Sequence, residues 1–154
     1  DIYAIGDVNG RQMLAHAATA QGRHAVNRIL GLEDRIRFDI MPAAVFTRPE
    51  VASVGLTEEL VRSLFPDYTT HKGFYRSNGK AQAIEATEGL VKIICDGKQP
   101  DSKIVGCHVM GANATAIVQE MAALMNFDVT LEQLRDIIHI HPTLNEVLLQ
   151  AVSD

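Results

Sequence analysis

Cysteine is scarce in this sequence. Cys95 and Cys107 are the only two among 154 residues, and eleven residues separate them. That spacing excludes a CxxC redox pair and a zinc finger, and it leaves buried free thiols of a cytoplasmic protein as the reading of both. A basic excess is missing too: 14 Lys and Arg stand against 19 Asp and Glu, for a net charge of -5. Nothing in that balance points to nucleic acid or an anionic membrane as partner. Apolar runs stay well short of the roughly 20 residues that span a bilayer. There is no secretory leader pattern, no internal repeat, no low-complexity stretch and no GxGxxG phosphate loop.

What is present is a globular composition, 47% hydrophobic and 21% charged, long enough for one domain with a real core. The chain opens on Asp1-Ile-Tyr-Ala-Ile-Gly-Asp7, without methionine and already inside an apolar run. An edge strand without neighbours buries little, so this beginning is expected to be a piece of a longer protein. Ile2–Ile5 reads as a short strand ending at Gly6-Asp7, and residues 12–30 read as a helix stopped by Gly31. Such a junction either presents a helix N-terminus to a ligand or is a plain βα turn, and both readings stand at this point. Residues 32–42 read as a linker.

A different architecture follows. Strands are expected at 43–46, 51–55, 68–75 and 89–95, with a returning strand at 103–110 after Asp96-Gly97. Residues 81–86 read as a strand or an irregular connection. Thr57 is expected to cap a helix to Leu64, and Thr130-Leu-Glu-Gln133 has the pattern of a capping box. Residues 114–126 form an apolar helix, a candidate for core or for contact with a second subunit, and a last helix is expected over 143–152. The fold class is α+β, an antiparallel sheet with helices packed on it.

The chemistry concentrates in His139-Ile-His-Pro-Thr-Leu-Asn-Glu-Val147. Pro142 keeps His141 out of the helical backbone region, and Glu146 follows His141 by five residues. A carboxylate there can bond one imidazole nitrogen, fix the tautomer and stabilise the imidazolium, giving an oriented proton acceptor. The competing reading is a capping box, Thr143-Leu-Asn-Glu146, in which Glu146 serves only the helix. His139, on the same face as His141 if the stretch is extended, is a rival acid-base group, and a two-histidine metal site with His108 is a second rival. Neither has a carboxylate at suitable sequence spacing, and no metal is expected.

Four stretches in order carry a resemblance: Ile2-Tyr-Ala-Ile-Gly-Asp7, Met13-Leu-Ala-His16, Phe46-Thr-Arg-Pro-Glu-Val-Ala-Ser-Val-Gly-Leu-Thr57 and His139-Ile-His-Pro-Thr-Leu-Asn-Glu146. Together they resemble the C-terminal third of the pyridine nucleotide-disulfide oxidoreductases, flavoproteins that include the dihydrolipoamide dehydrogenases. Asn78-Gly-Lys-Ala81 and Glu88-Gly-Leu-Val-Lys-Ile-Ile94 are more similar to the latter than to glutathione reductases. The resemblance implies residues 1–40 as the end of the FAD-binding domain plus linker, and residues 41–154 as the dimerisation (interface) domain. It implies that Asp7 hydrogen-bonds the ribityl chain of FAD and that Ala15 offers a backbone amide near the flavin. It implies His141 as the acid-base histidine, serving the other subunit's site, and Glu146 as its orienting partner. The expected activity is oxidation of a dithiol, dihydrolipoamide or a lipoyl domain, by NAD+ through FAD and a redox disulfide, in a homodimer.

The departures shape the expectation. No Cys-x4-Cys pair is present, so the redox disulfide lies outside this chain, and without GxGxxG neither nucleotide site is complete. The 154-residue chain is therefore expected to be inactive alone and to bind neither FAD nor NAD tightly. A dimerisation module without chemistry, or the same piece of a glutathione or mercuric reductase, is the alternative.

Overall fold

A computed structural model describes residues 2–153, which fall into two compact units, Asp1–Met41 and Pro42–Asp154.

In the first unit a 3-10 turn over Gly6–Asn9 precedes helix α1, Ala15–Ile29. Residues 2–5, expected as a strand, are extended but unpaired, because no strand lies beside them among the described residues of this unit. Side chains hold the turn instead. Gln21 Oε1 accepts both the Gly6 amide and the Asn9 side-chain amide, each at 2.7 Å. Gly6 has φ +71°, a left-handed conformation that glycine adopts without penalty. Helix α1 starts at Ala15 rather than at residue 12 because the backbone before it, through Leu14, is still extended.

The second unit is built on one five-stranded sheet. Its strands are β1 Ala43–Val45, β2 Glu50–Gly55, β3 Thr69–Phe74, β4 Leu90–Cys95 and β5 Ile104–Gly111, in the order β1-β2-β5-β4-β3. Every neighbouring pair is antiparallel. Direct cross-strand partners share a face. Ala52 opposes Val109, Val109 opposes Val91 and Val91 opposes Gly73. One register step along, Val54, Cys107 and Ile93 extend the same buried face.

Helices α4, Ala114–Met125, and α6, Val147–Val152, cover that face. Helix α4 packs on β2 and β5, and α6 packs on β3 and β4. Ile117, Val118, Met121 and Met125 of α4 and Val147, Leu148 and Ala151 of α6 are buried. The apolar side of α4, a candidate for subunit contact in the sequence, is thus consumed by the chain's own core. Gly73 sets how closely α6 approaches: a Cβ there would stand 2.3 Å from the Val147 carbonyl oxygen.

Three shorter helices complete the unit: α2 Glu58–Leu64, α3 Gly79–Ala83 and α5 Leu131–Asp136. Thr57 caps α2 through the Leu60 amide, and Thr130 and Gln133 form the full reciprocal capping box of α5. Helix α3 lies where a strand or irregular connection is expected. It forms because Asn78 Oδ1 accepts the Ala81 amide at 2.9 Å, the N-cap bond that satisfies an open helix donor.

Candidate active site

Between α5 and α6 the chain runs from Ile137 to Glu146 without helix or strand. Its side chains divide sharply. Ile138 and Ile140 are 96% and 80% exposed. The His139 side chain is 4% exposed and points inward, whereas that of His141 is 78% exposed. The expected common face for the two histidines is therefore absent. Strand alternation needs a ladder, and this segment has none.

His141 and Glu146 are brought together. Nδ1 of His141 lies 2.9 Å from Oε1 of Glu146, and the other carboxylate oxygen accepts the Thr143 amide at 2.8 Å. A carboxylate only accepts, so Nδ1 carries the hydrogen, and in the neutral ring Nε2 keeps its lone pair for a proton from outside. The Thr143 amide first, and then the His141 ring, hold the Glu146 carboxyl below the usual carboxylate range, so it stays an anion at neutral pH. The pair is an exposed, oriented proton acceptor with its counter-charge fixed to the backbone.

The helix-cap reading is half realised. Glu146 reaches back to the Thr143 amide as a capping box requires, but the Thr143 hydroxyl donates to the Ile140 carbonyl at 2.7 Å instead of accepting from the Glu146 amide. Helix α6 accordingly starts at Val147, later than the expected Thr143.

Two anchors that sequence reasoning missed fasten this segment to the body. The buried Asn78 donates from Nδ2 to the carbonyls of Thr143 and Leu144, at 3.0 and 3.5 Å, while its oxygen caps α3. Glu120 of α4 takes the Asn145 side-chain amide on Oε2 at 2.5 Å. Its Oε1 lies 3.0 Å from Nε2 of His139, an electrostatic contact without a directed hydrogen bond. His139 thus has a carboxylate neighbour after all, from another helix. Asn78 stands in Asn78-Gly-Lys-Ala81, a cap pattern visible in the sequence. Glu120 left one trace, the only charged residue of a mostly apolar helix.

The rival metal site does not assemble. His108 Nε2 bonds the Leu56 carbonyl at 3.0 Å, and no three His, Cys, Asp or Glu side chains gather among the described residues. Burial pushes the thiols up, Cys95 to about 11 and Cys107 to about 12, so neither supplies a thiolate at neutral pH.

In the first unit, Asp7 is exposed on the Gly6–Asn9 turn and Ala15 is the first residue of α1. Leu14, at the N-cap, gives no side-chain bond to the first-turn amides. An exposed carboxylate and a 15-residue helix with an uncapped N-terminus suit polar groups of a nucleotide cofactor. A cavity of about 850 Å³ lies within this unit, lined by Tyr3, Asn9, Arg11, His24 and Phe38 among others. No described helix is long and apolar enough to cross a membrane.

Dihydrolipoyl dehydrogenase 1, mitochondrial, of Arabidopsis thaliana is 41% identical over 150 residues, which is 97% of this chain and 29% of that protein. The dihydrolipoyl dehydrogenase of Corynebacterium glutamicum is 39% identical over 154 residues, 97% of this chain and 32% of that protein. A leghemoglobin reductase of Glycine max is 41% identical over 97% of this chain and 28% of its own length. The chain thus spans about three-tenths of the length of the curated relatives it matches. Among solved structures, LpdA from Mycobacterium tuberculosis superposes with a TM-score of 0.87 at 30% identity, over 99% of this chain and 33% of that one. The HOCl-induced flavoprotein disulfide reductase RclA from Escherichia coli gives 0.85 at 26%, over 99% and 35%. Residues 41–152 match the pyridine nucleotide-disulphide oxidoreductase dimerisation domain, and the chain belongs to that family.

Proposed function

We propose that this chain is the dimerisation end of a dihydrolipoyl dehydrogenase, and that it supplies the acid-base pair of that enzyme. The observation that carries the reading is the contact between His141 Nδ1 and Glu146 Oε1, with the imidazole exposed and the carboxylate tied to a backbone amide. The overall change is a dithiol giving two electrons and two protons, with NAD+ taking a hydride and one proton released. A thiol attacks a disulfide poorly, and its thiolate is the nucleophile. His141 accepts the thiol proton at Nε2, while Glu146 balances the imidazolium that results. The proton later leaves from the same nitrogen. Glu146 does not itself need to change charge.

A bound flavin would carry the electrons from the thiols to the nicotinamide. Asp7 and the uncapped first turn at Ala15 suit its polar groups, the carboxylate accepting hydroxyls and the amide donating to the ring. In a homodimer the exposed His141 faces a site built by the partner subunit, which accords with an imidazole that projects to solvent. Dihydrolipoamide, free or carried on a lipoyl domain, is the dithiol. A cytoplasmic, reducing compartment suits two cysteines that are free and buried.

Replacing His141 by Gln in the full-length protein tests the proposal. Dithiol oxidation should fall by about 10²–10⁴-fold, the range of a lost general base. Bound flavin and its reduction by NADH should be unchanged. Dithiol oxidation at the wild-type rate in that variant would overturn the assignment.

A further inference from the structure

The segment that carries His141 has no strand ladder, and its two isoleucines project to solvent, so side-chain contacts with the body must fix it. We propose that Glu120 is a positioning residue for His141: one carboxylate on α4 grips the segment on both sides of the histidine and transfers the register of the sheet to it. The proposal rests on the acid-base reading of His141.

The geometry is specific. Oε2 takes the side-chain amide of Asn145, the residue before Glu146, at 2.5 Å. Oε1 faces Nε2 of His139, two positions before His141, at 3.0 Å. Nδ1 of His139 lies 3.1 Å from the Ile137 carbonyl, which can only accept, so Nδ1 donates. With Nδ1 so engaged, the ring is oriented with Nε2 towards the Glu120 carboxylate on the buried side of the segment. His139 also contributes, last after the Thr143 amide and His141, to holding the Glu146 carboxyl low.

Helix α4 has reason to be the anchor. Ile117, Val118, Met121 and Ala122 around Glu120 are buried, and the helix packs on β2 and β5, so Glu120 moves only if the core moves. A carboxylate drawn partly out of water beside these residues costs stability unless its oxygens are engaged, and here both are engaged by the histidine segment. Asn78 fastens the intervening carbonyls, but its other bond serves α3, so its loss disturbs a helix as well as the segment.

The test is a double-mutant cycle in the full-length protein. Glu120→Ala should lower kcat for dithiol oxidation by about 10–100-fold, as a displacement near 1 Å of a reacting group does. Glu120→Gln, which keeps an acceptor oxygen for Asn145 and loses the charge facing His139, should lower it less. The KM for NAD+ and the rate of flavin reduction by NADH should not move. Glu120→Ala combined with His141→Gln should be no slower than His141→Gln alone, because a residue that acts through His141 has nothing left to position. Losses that multiply in the double variant, or a wild-type kcat in both Glu120 variants, would overturn the proposal. If the alanine variant fails to fold, Glu120→Gln carries the cycle. A His141→Gln enzyme at full rate would instead remove the acid-base reading beneath it, so the two failures are distinguishable.

Discussion

At the scale of single residues, Glu146 governs the site. Its two oxygens serve different masters, a ring nitrogen and a backbone amide, and both contacts favour the anion. Its folded-state pKa is lowered, so the sign of the linkage is fixed. The stabilisation it gives is present above the unfolded value of about 4.3 and is lost as pH falls through the lower folded value. Glu146→Gln should therefore melt below the wild type at neutral pH, and the two melting curves should converge in strong acid. A difference that persists unchanged into acid would mean that packing, not charge, explains the variant. The spacing of His141 and Glu146 was legible in the sequence because five residues separate the partners. The Glu120–His139 contact was not, because only the docking of α4 beside the segment creates it.

At the scale of elements, the apolar stretches 89–95 and 103–110 on either side of the Asp96-Gly97 turn foretold the β4–β5 hairpin, and Thr-x-x-Gln foretold the start of α5. Where expectation and structure part, tertiary partners decide. Ile2–Ile5 has strand composition, but no strand lies beside it among the described residues. Helix α3 is five residues long, too short to stand on propensity, and depends on the cap from Asn78. The onset of α6 was placed early because Thr143-x-x-Glu146 mimics a capping box whose hydroxyl half is spent on Ile140. The seat of α6 is the sharpest constraint among these elements. Gly73→Ala would drive a methyl group to 2.3 Å from the Val147 carbonyl. Because backbone cannot give way as a side-chain tip does, we expect a loss of about 3 kcal/mol or more in a denaturant melt, at the upper end of overpacking costs. A melt within about 1 kcal/mol of wild type, the ordinary size of a point-mutant effect, would show that α6 shifts freely.

At the scale of the molecule, the apolar face of α4 is spent on the core, so a subunit interface must use what remains uncovered. Ile138 and Ile140, on either side of the inward His139, are the largest such groups near the site. A stable homodimer of this kind buries roughly 2,000 Å² or more. Sedimentation of the full-length protein at micromolar concentration should give a dimer, and Ile140→Asp should shift it towards monomer without changing the far-ultraviolet spectrum. A variant that remains fully dimeric would move the interface elsewhere.

The seating of α6 on β3 also bears on how the protein is made. Synthesis runs from the N-terminus, and 73 positions separate Phe74, the end of β3, from Val147. Until that helix emerges from the ribosome, Gly73 and Val91 have no cover, and the sheet is an open, sticky surface. Glu146 directly precedes the helix, so the residue that orients His141 arrives together with the segment that closes the core. A copy interrupted before Glu146 lacks both the orienting carboxylate and the helix that covers β3.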